Sequence, residues 1–257
     1  SERNWGIGDF GDLRALIEMS AAMGAGVLGV NPLHATDGAS PYSPSSRHAL
    51  NALYLDVERL PEFGSSRRAQ RLAGSASFRR KLAALRAAEL VDHEGVGRLK
   101  REVLELLFED ADRAGLEGFE ASAPQGVRTY ALFEALREKL GGGWQGWPRE
   151  YRKPGSRQVA QFARRHARRV AFHLWLQWRS REQLDAVQRR ALELAMPVGL
   201  YVDLALGADA GGAEVWAGQG VFALGVSTGA PPDEFNPRGQ DWGLPPYSPR
   251  ALRAAGY

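Results

Sequence analysis

Two short apolar runs constrain the fold most: Val27-Leu28-Gly29-Val30, which is continuous, and Val198-Gly199-Leu200-Tyr201-Val202-Asp203-Leu204, which Asp203 alone interrupts. A strand with one wet face alternates apolar and polar residues, whereas an unbroken apolar run suits a parallel strand buried on both faces. Each run follows a helical pattern. Before the first, Leu13, Leu16, Ile17 and Met23 recur at helical spacing. Asp9 or Asp12 is placed to cap that helix, and Gly24 and Gly26 to end it. Before the second, Val159, Phe162, Val170, Leu174 and Trp178 mark one stripe, and Leu184, Val187, Ala191 and Leu194 continue it, over residues 156–195. Helix, strand, loop insertion, helix, strand predicts part of an α/β domain with parallel strands. Leu53-Tyr54-Leu55-Asp56-Val57 reads as a further extended stretch.

Residues 65–140 are rich in Ala, Leu, Arg and Glu, with helical patterns near 76–90, 95–113 and 127–139. They read as a helical insertion, so three segments are expected: 1–64, 65–155 and 156–257. Gly141 to Pro148 is a second, aromatic loop, and a helix is expected to begin near Pro249.

The formal net charge of the 257 residues is only +3, from 33 basic and 30 acidic side chains. Acids and bases are interspersed, which argues against nucleic acid as a partner; the Arg164–Arg169 cluster fits a solvated helix face. No apolar run approaches the roughly 20 residues of a membrane span. Without cysteine there is neither disulfide nor thiolate chemistry, and a cytoplasmic location is expected. The five histidines have no metal-ligand spacing, and neither a metal nor an organic cofactor is expected. His173 reads as a packing residue, whereas His34, at the end of a strand, stays open. Trp5 to Gly11 lacks the Lys-Ser/Thr of a phosphate loop. The chain opens on Ser1 directly into a loop, which reads as a piece of a longer protein.

Gly229 to Tyr247 is too rich in Pro and Gly for a helix or a central strand. It carries Phe235, Trp242 and Tyr247, with Asp233, Asn236, Gln240 and Asp241 between them. Aromatic faces beside amides and carboxylates suit a sugar, whose C–H faces stack on rings and whose hydroxyls take the polar groups. The alternative is a loop pinned to the core by its aromatics. In a β/α barrel the active site lies at the C-terminal ends of the strands. Asn31 to His34, the Tyr42 loop, Asp203 and the 229–247 loop all fall there.

Four stretches carry a resemblance: Ser1 to Leu13, Ser40-Pro-Tyr-Ser-Pro-Ser-Ser46, Gly199-Leu-Tyr-Val-Asp-Leu204, and Gly229-Ala-Pro-Pro-Asp233 on to Gly239-Gln-Asp-Trp-Gly243. In this order they resemble the 4-α-glucanotransferases, the amylomaltase or disproportionating-enzyme family of the α-amylase clan. The resemblance implies an incomplete (β/α)8 TIM barrel with a large helical insertion, in which Val27–Asn31 and Val198–Asp203 are the second and third strands. It implies a maltodextrin or other α-1,4-glucan substrate. Tyr42 would lie at the sugar cleft, and residues 231–243, with Asp233, would form the loop over the acceptor subsites, Gln240 and Trp242 facing sugar. Asp203 would order charged groups low in the cleft.

Retaining glycoside chemistry needs a carboxylate nucleophile and a carboxylic acid about 5–5.5 Å apart. The family's Arg-x-Asp-His, Glu-Asp-Leu-Gly and late His-preceded Asp settings are absent from this sequence. Val91-Asp92-His93 follows Leu90 in helical surroundings, so Asp92 reads as a helix cap. The expectation is therefore the N-terminal part of a 4-α-glucanotransferase, itself inactive, with no catalytic residue of its own. The alternatives are a non-catalytic glucan-binding module and a hydrolase of the same clan. The strand at Val198–Val202 would lack its next neighbour, leaving an edge open to self-association.

Overall fold

The two apolar runs lie side by side as parallel strands, Val27 opposite Gly199 through Val30 opposite Val202. The computed structural model describes residues 3–38 and 40–256. In chain order the elements begin with α1 (Phe10–Ala22), β1 (Val27–Val30), β2 (His34–Ala35) and β3 (Ser46–Leu50). A helical run follows: α2 (Pro61–Ser65), α3 (Arg67–Gly74), α4 (Ala76–Ala87), α5 (His93–Glu109), α6 (Arg113–Ser122), α7 (Gln125–Leu140), α8 (Arg157–Arg165) and α9 (Ala167–Glu193). The chain then forms β4 (Gly199–Val202), α10 (Ala213–Ala217), β5 (Thr228–Ala230), β6 (Gln240–Leu244) and α11 (Pro249–Ala254). It is a mixed helix and sheet structure. No helix among the described residues is long and apolar enough to cross a membrane.

The chain packs as two compact units, each made from separate stretches. The first comprises Ser1–Asn31, Leu50–Ala123 and Leu174–Asp203, and holds β1 and β4. Asp9 caps α1 in a reciprocal box with Asp12, and Asp92 caps α5 by accepting from the Gly95 N–H. Helix α5 buries Val96, Leu99, Val103 and Leu107 on one stripe, and Phe108 meets Trp175 at 5.8 Å between ring centroids.

Lys100 lies on the same stripe and explains one departure from the sequence reading. Residues 53–57 form no strand; 3-10 turns form at Ala52–Tyr54 and Val57–Arg59, and only Leu55 and Asp56 between them keep extended backbone. The Lys100 ammonium donates to the carbonyls of Leu53 (2.6 Å) and Leu55 (2.7 Å), so those acceptors go to a cation rather than a ladder. The helices expected over 156–195 are α8 and α9, which divide at His166, where φ is −114° and ψ is 28°.

The β1–β4 pair also differs from the sequence reading. Its strands are not buried on both faces: exposure alternates along β1, and Tyr201 is 65% exposed. Beyond β4, the Gln188 amide donates to Val198 O (3.0 Å) and accepts from Leu200 N (2.8 Å). Gly199 has φ +78°, and a Cβ there would lie 2.6 Å from that amide, so glycine is what lets Gln188 in.

The second unit comprises Pro32–Ala49, Pro124–His173 and Leu204–Tyr257. Its core centres on Phe133, Trp147 and Trp216, with ring centroids 5.1–6.1 Å apart. Each buried indole N–H finds a carbonyl: Trp144 to Ala210, Trp147 to Gly141, Trp216 to Tyr151. The two tryptophans of the loop 141–148 are therefore core, while the residues around them are exposed. His173 is buried 3.2 Å from the Glu138 carboxylate, as a packing residue should be.

Candidate functional site

The segment 229–247 forms a twisted hairpin in the second unit. β5 and β6 pair antiparallel, Gly229 opposite Asp241 and Ala230 opposite Gln240, with an irregularity between Thr228 and Gly229. The Pro and Gly content that excludes a central strand is compatible with this isolated two-stranded ribbon. The tip is built by Asp233, whose carboxylate accepts from the N–H groups of Phe235 (2.9 Å) and Asn236 (2.6 Å). Gly239, at φ +70°, donates to Asn236 O and turns the chain into β6.

Period-two alternation puts Gln240 and Trp242 on one face of β6. The Trp242 indole N–H donates to Gln240 Oε1 at 3.0 Å, so ring and amide are held together. Trp242 is 40% exposed and Phe235 83% exposed, so neither ring pins the loop, whereas Tyr247, stacked on the buried Phe222 at 4.5 Å, anchors its end. Asp241 accepts from the Ser227 hydroxyl and the Gly243 N–H, and these bonds hold its carboxyl below the usual range.

The loop 40–46 belongs to the same unit. Tyr42 is exposed on a turn in which its N–H donates to Ser40 Oγ (3.3 Å). The loop is fixed from behind: Asp209 N donates to Pro44 O, Glu214 N to Ser45 O and Ala213 N to Ser45 Oγ. Asp203 lies in the first unit, its N–H donating to Val30 O at 3.1 Å at the end of β4. The structure thus brings Gln240 and Trp242 into contact and gives Asp233 a turn-forming role.

Arg47 and Glu214, which the sequence reading did not single out, join Tyr247 of the 229–247 segment in one cluster of the second unit. Arg47 pairs with Glu214, side chain to side chain through Nε and Nη2, and its backbone N–H donates to Glu214 Oε2 at 2.8 Å. The Tyr247 hydroxyl donates to Glu214 Oε1 at 3.1 Å. Burial pushes the Glu214 carboxyl up, but the bonds from Arg47 outweigh it and hold the group below the usual range. Burial raises the Tyr247 hydroxyl, and the Glu214 charge adds to that. Arg47 directly follows the Ser40–Ser46 motif, a clue the sequence offers; Glu214, 167 residues away, has none.

Glu214 and Asp241 are both held ionised, the opposite of what a general acid requires. Among the described residues no group of three or more His, Asp or Glu side chains converges as a metal site would require.

A family model described as 4-alpha-glucanotransferase matches residues 1–257. The chain belongs to the 4-alpha-glucanotransferase family. Within it, the chain is 38% identical over 281 residues to the 4-alpha-glucanotransferase of Haemophilus influenzae, covering 100% of this chain and 40% of that protein. It is 39% identical over 276 residues to that of Mycobacterium tuberculosis, covering 100% and 37%. The amylomaltase of Corynebacterium glutamicum superposes with a TM-score of 0.82 at 32% identity, over 100% of this chain and 36% of that one. A Streptococcus agalactiae amylomaltase in complex with acarbose gives 0.81 at 22% identity, over 98% and 52%, and shares the fold. This member of the 4-alpha-glucanotransferase family spans about two fifths of the length of those Haemophilus and Mycobacterium relatives.

Proposed function

We propose that this chain is the glucan-binding part of a 4-α-glucanotransferase that moves α-1,4-glucan segments between maltodextrins by retaining double displacement. In this reading β1 and β4 are neighbouring strands of an incomplete (β/α)8 barrel, and residues 65–155 are its helical insertion between the segments 1–64 and 156–257. Tyr42, Gln240 and Trp242 contact sugar. Asp233 shapes the acceptor loop and Asp203 orders the cleft. The location is cytoplasmic, and no cofactor takes part.

The observation that carries the reading is the exposed, mutually hydrogen-bonded Gln240–Trp242 pair, in a chain belonging over its whole length to this family. A ring with an amide fixed beside it offers a sugar one stacking face and one hydroxyl partner. The missing carboxylate settings assign the chain to binding and deny it turnover.

Titrating the chain with maltoheptaose, read by tryptophan fluorescence, tests this. Saturable binding is expected, weakened about tenfold in Trp242→Ala. Incubation with maltotriose is expected to give no glucose or longer maltodextrins. Turnover at enzymatic rates, or binding indifferent to Trp242, would count against the proposal.

A further inference from the structure

An isolated two-stranded hairpin is marginal in water, so something other than its own ladder must aim Gln240 and Trp242. The anchor lies just beyond β6. Leu244 is buried against Gly207, and three residues later Tyr247 stacks on Phe222 at 4.5 Å between centroids. Pro246 O accepts from Ala223 N and Ser248 N donates to Val221 O, which locks that stretch to the segment before the hairpin. The Tyr247 hydroxyl then enters the Arg47–Glu214 pair.

That pair reaches two further loops. The Arg47 guanidinium extends to the carbonyl of Leu206 (3.3 Å), in the segment after β4. Glu214 accepts from the Arg47 backbone, at the end of the loop that carries Tyr42. One charged node, centred on the buried Glu214, therefore meets the Tyr42 loop, the segment after β4 and the base of the hairpin. Both Glu214 oxygens are used, and Glu214 itself is buried, where such bonds hold geometry well, while Tyr247 reaches it from a half-exposed position.

We propose that Arg47, Glu214 and Tyr247 are positioning residues for glucan binding: they touch no sugar, and they fix the hairpin that presents Gln240 and Trp242. The proposal rests on the glucan reading above. Its test compares the chain with Tyr247→Phe, which keeps the stacking ring and removes only the hydroxyl. Maltoheptaose affinity is expected to fall about fivefold. Added to Trp242→Ala, the same change is expected to cost nothing more, because its effect passes through that ring. Amides of residues 228–244 should exchange with deuterium faster in Tyr247→Phe, while those of α7 and α10 keep their rates.

Unchanged affinity, losses that multiply in the double variant, or faster exchange throughout the second unit would each overturn the proposal. If the unaltered chain binds no maltoheptaose, the glucan reading fails. The exchange measurement then decides by itself whether the node holds the hairpin: unchanged hairpin rates would overturn that as well.

Discussion

Among the described residues each unit has an arginine paired with a buried glutamate that also accepts from an aromatic side chain, and the two pairs link different elements. In the first unit Arg179 of α9 binds Glu62 of α2, and the Trp175 indole N–H donates to the same Glu62 oxygen at 3.1 Å. In the second, Arg47 binds Glu214 and the Tyr247 hydroxyl donates to it. The first pair clamps one helix to another, and its carboxylate concentrates all its bonds on Oε1; Oε2 is buried without a hydrogen-bond partner. The second joins β3 to α10 and, through Tyr247, to the segment after β6, and its carboxylate spends both oxygens. Similar chemistry gives a rigid clamp where it links two helices and, on the proposal above, an aiming device where it links a strand and a short helix to the base of the hairpin.

Cutting each pair on the acid side breaks the comparison most directly. Glu62→Ala leaves Arg179 in a site where it is only 5% exposed, with Glu182 as its remaining carboxylate. A loss of about 4 kcal/mol in urea unfolding is expected. Glu214→Ala leaves Arg47 the Tyr247 oxygen and the carbonyls of Ala205 and Leu206, so about 3 kcal/mol is expected. The functional difference runs the other way. Folded Glu62→Ala should bind maltoheptaose as the unaltered chain does, and folded Glu214→Ala should bind it more weakly. Equal binding losses in both would erase the distinction.

The contrast also marks what was legible in the sequence. The strands β1 and β4 and the caps Asp9 and Asp92 were readable, because apolar runs and short acids before helical patterns act locally. The hairpin was readable as a non-helical aromatic segment, since Pro and Gly exclude the alternatives. Residues 53–57 were misread because the ammonium that takes their carbonyls sits on another element, at Lys100. The positioning node was missed for the same reason: no local pattern links Arg47 to Glu214. The exposed face of Tyr201 was equally hidden, since composition cannot tell a strand buried on both faces from one with an open face.

Lys100 sharpens the comparison by burying a charge against neutral carbonyls instead of a hydrogen-bonded carboxylate. Burial pushes its ammonium down to about 8, against a partial pull upward from Asp9, Asp56 and Asp12. Between that value and the ordinary lysine range the unfolded chain holds the proton more tightly than the folded one. Stability relative to Lys100→Met is therefore expected to rise with pH, by on the order of 2–3 kcal/mol from pH 7 to 10.5. Urea midpoints across that range check it. A difference that is flat or falls with pH would mean the two carbonyls stabilise the cation as well as water does.

Gln188 is the uncharged member of the set. Its amide closes on Val198 O and Leu200 N, doing for the edge of β4 what the charged pairs do for helices and loops. A neutral hydrogen bond that water can replace contributes little, so Gln188→Ala should cost about 1 kcal/mol, with no dependence on pH between 5 and 9. Its larger consequence is kinetic exposure of an edge. Beside it Tyr201 and Val202 are exposed, and freeing the adjacent N–H and C=O offers an apolar strand a template for pairing with a second copy. Light scattering at increasing concentration should show more self-association in Gln188→Ala than in the unaltered chain. Equal scattering would assign the protection of this edge to something other than the Gln188 amide.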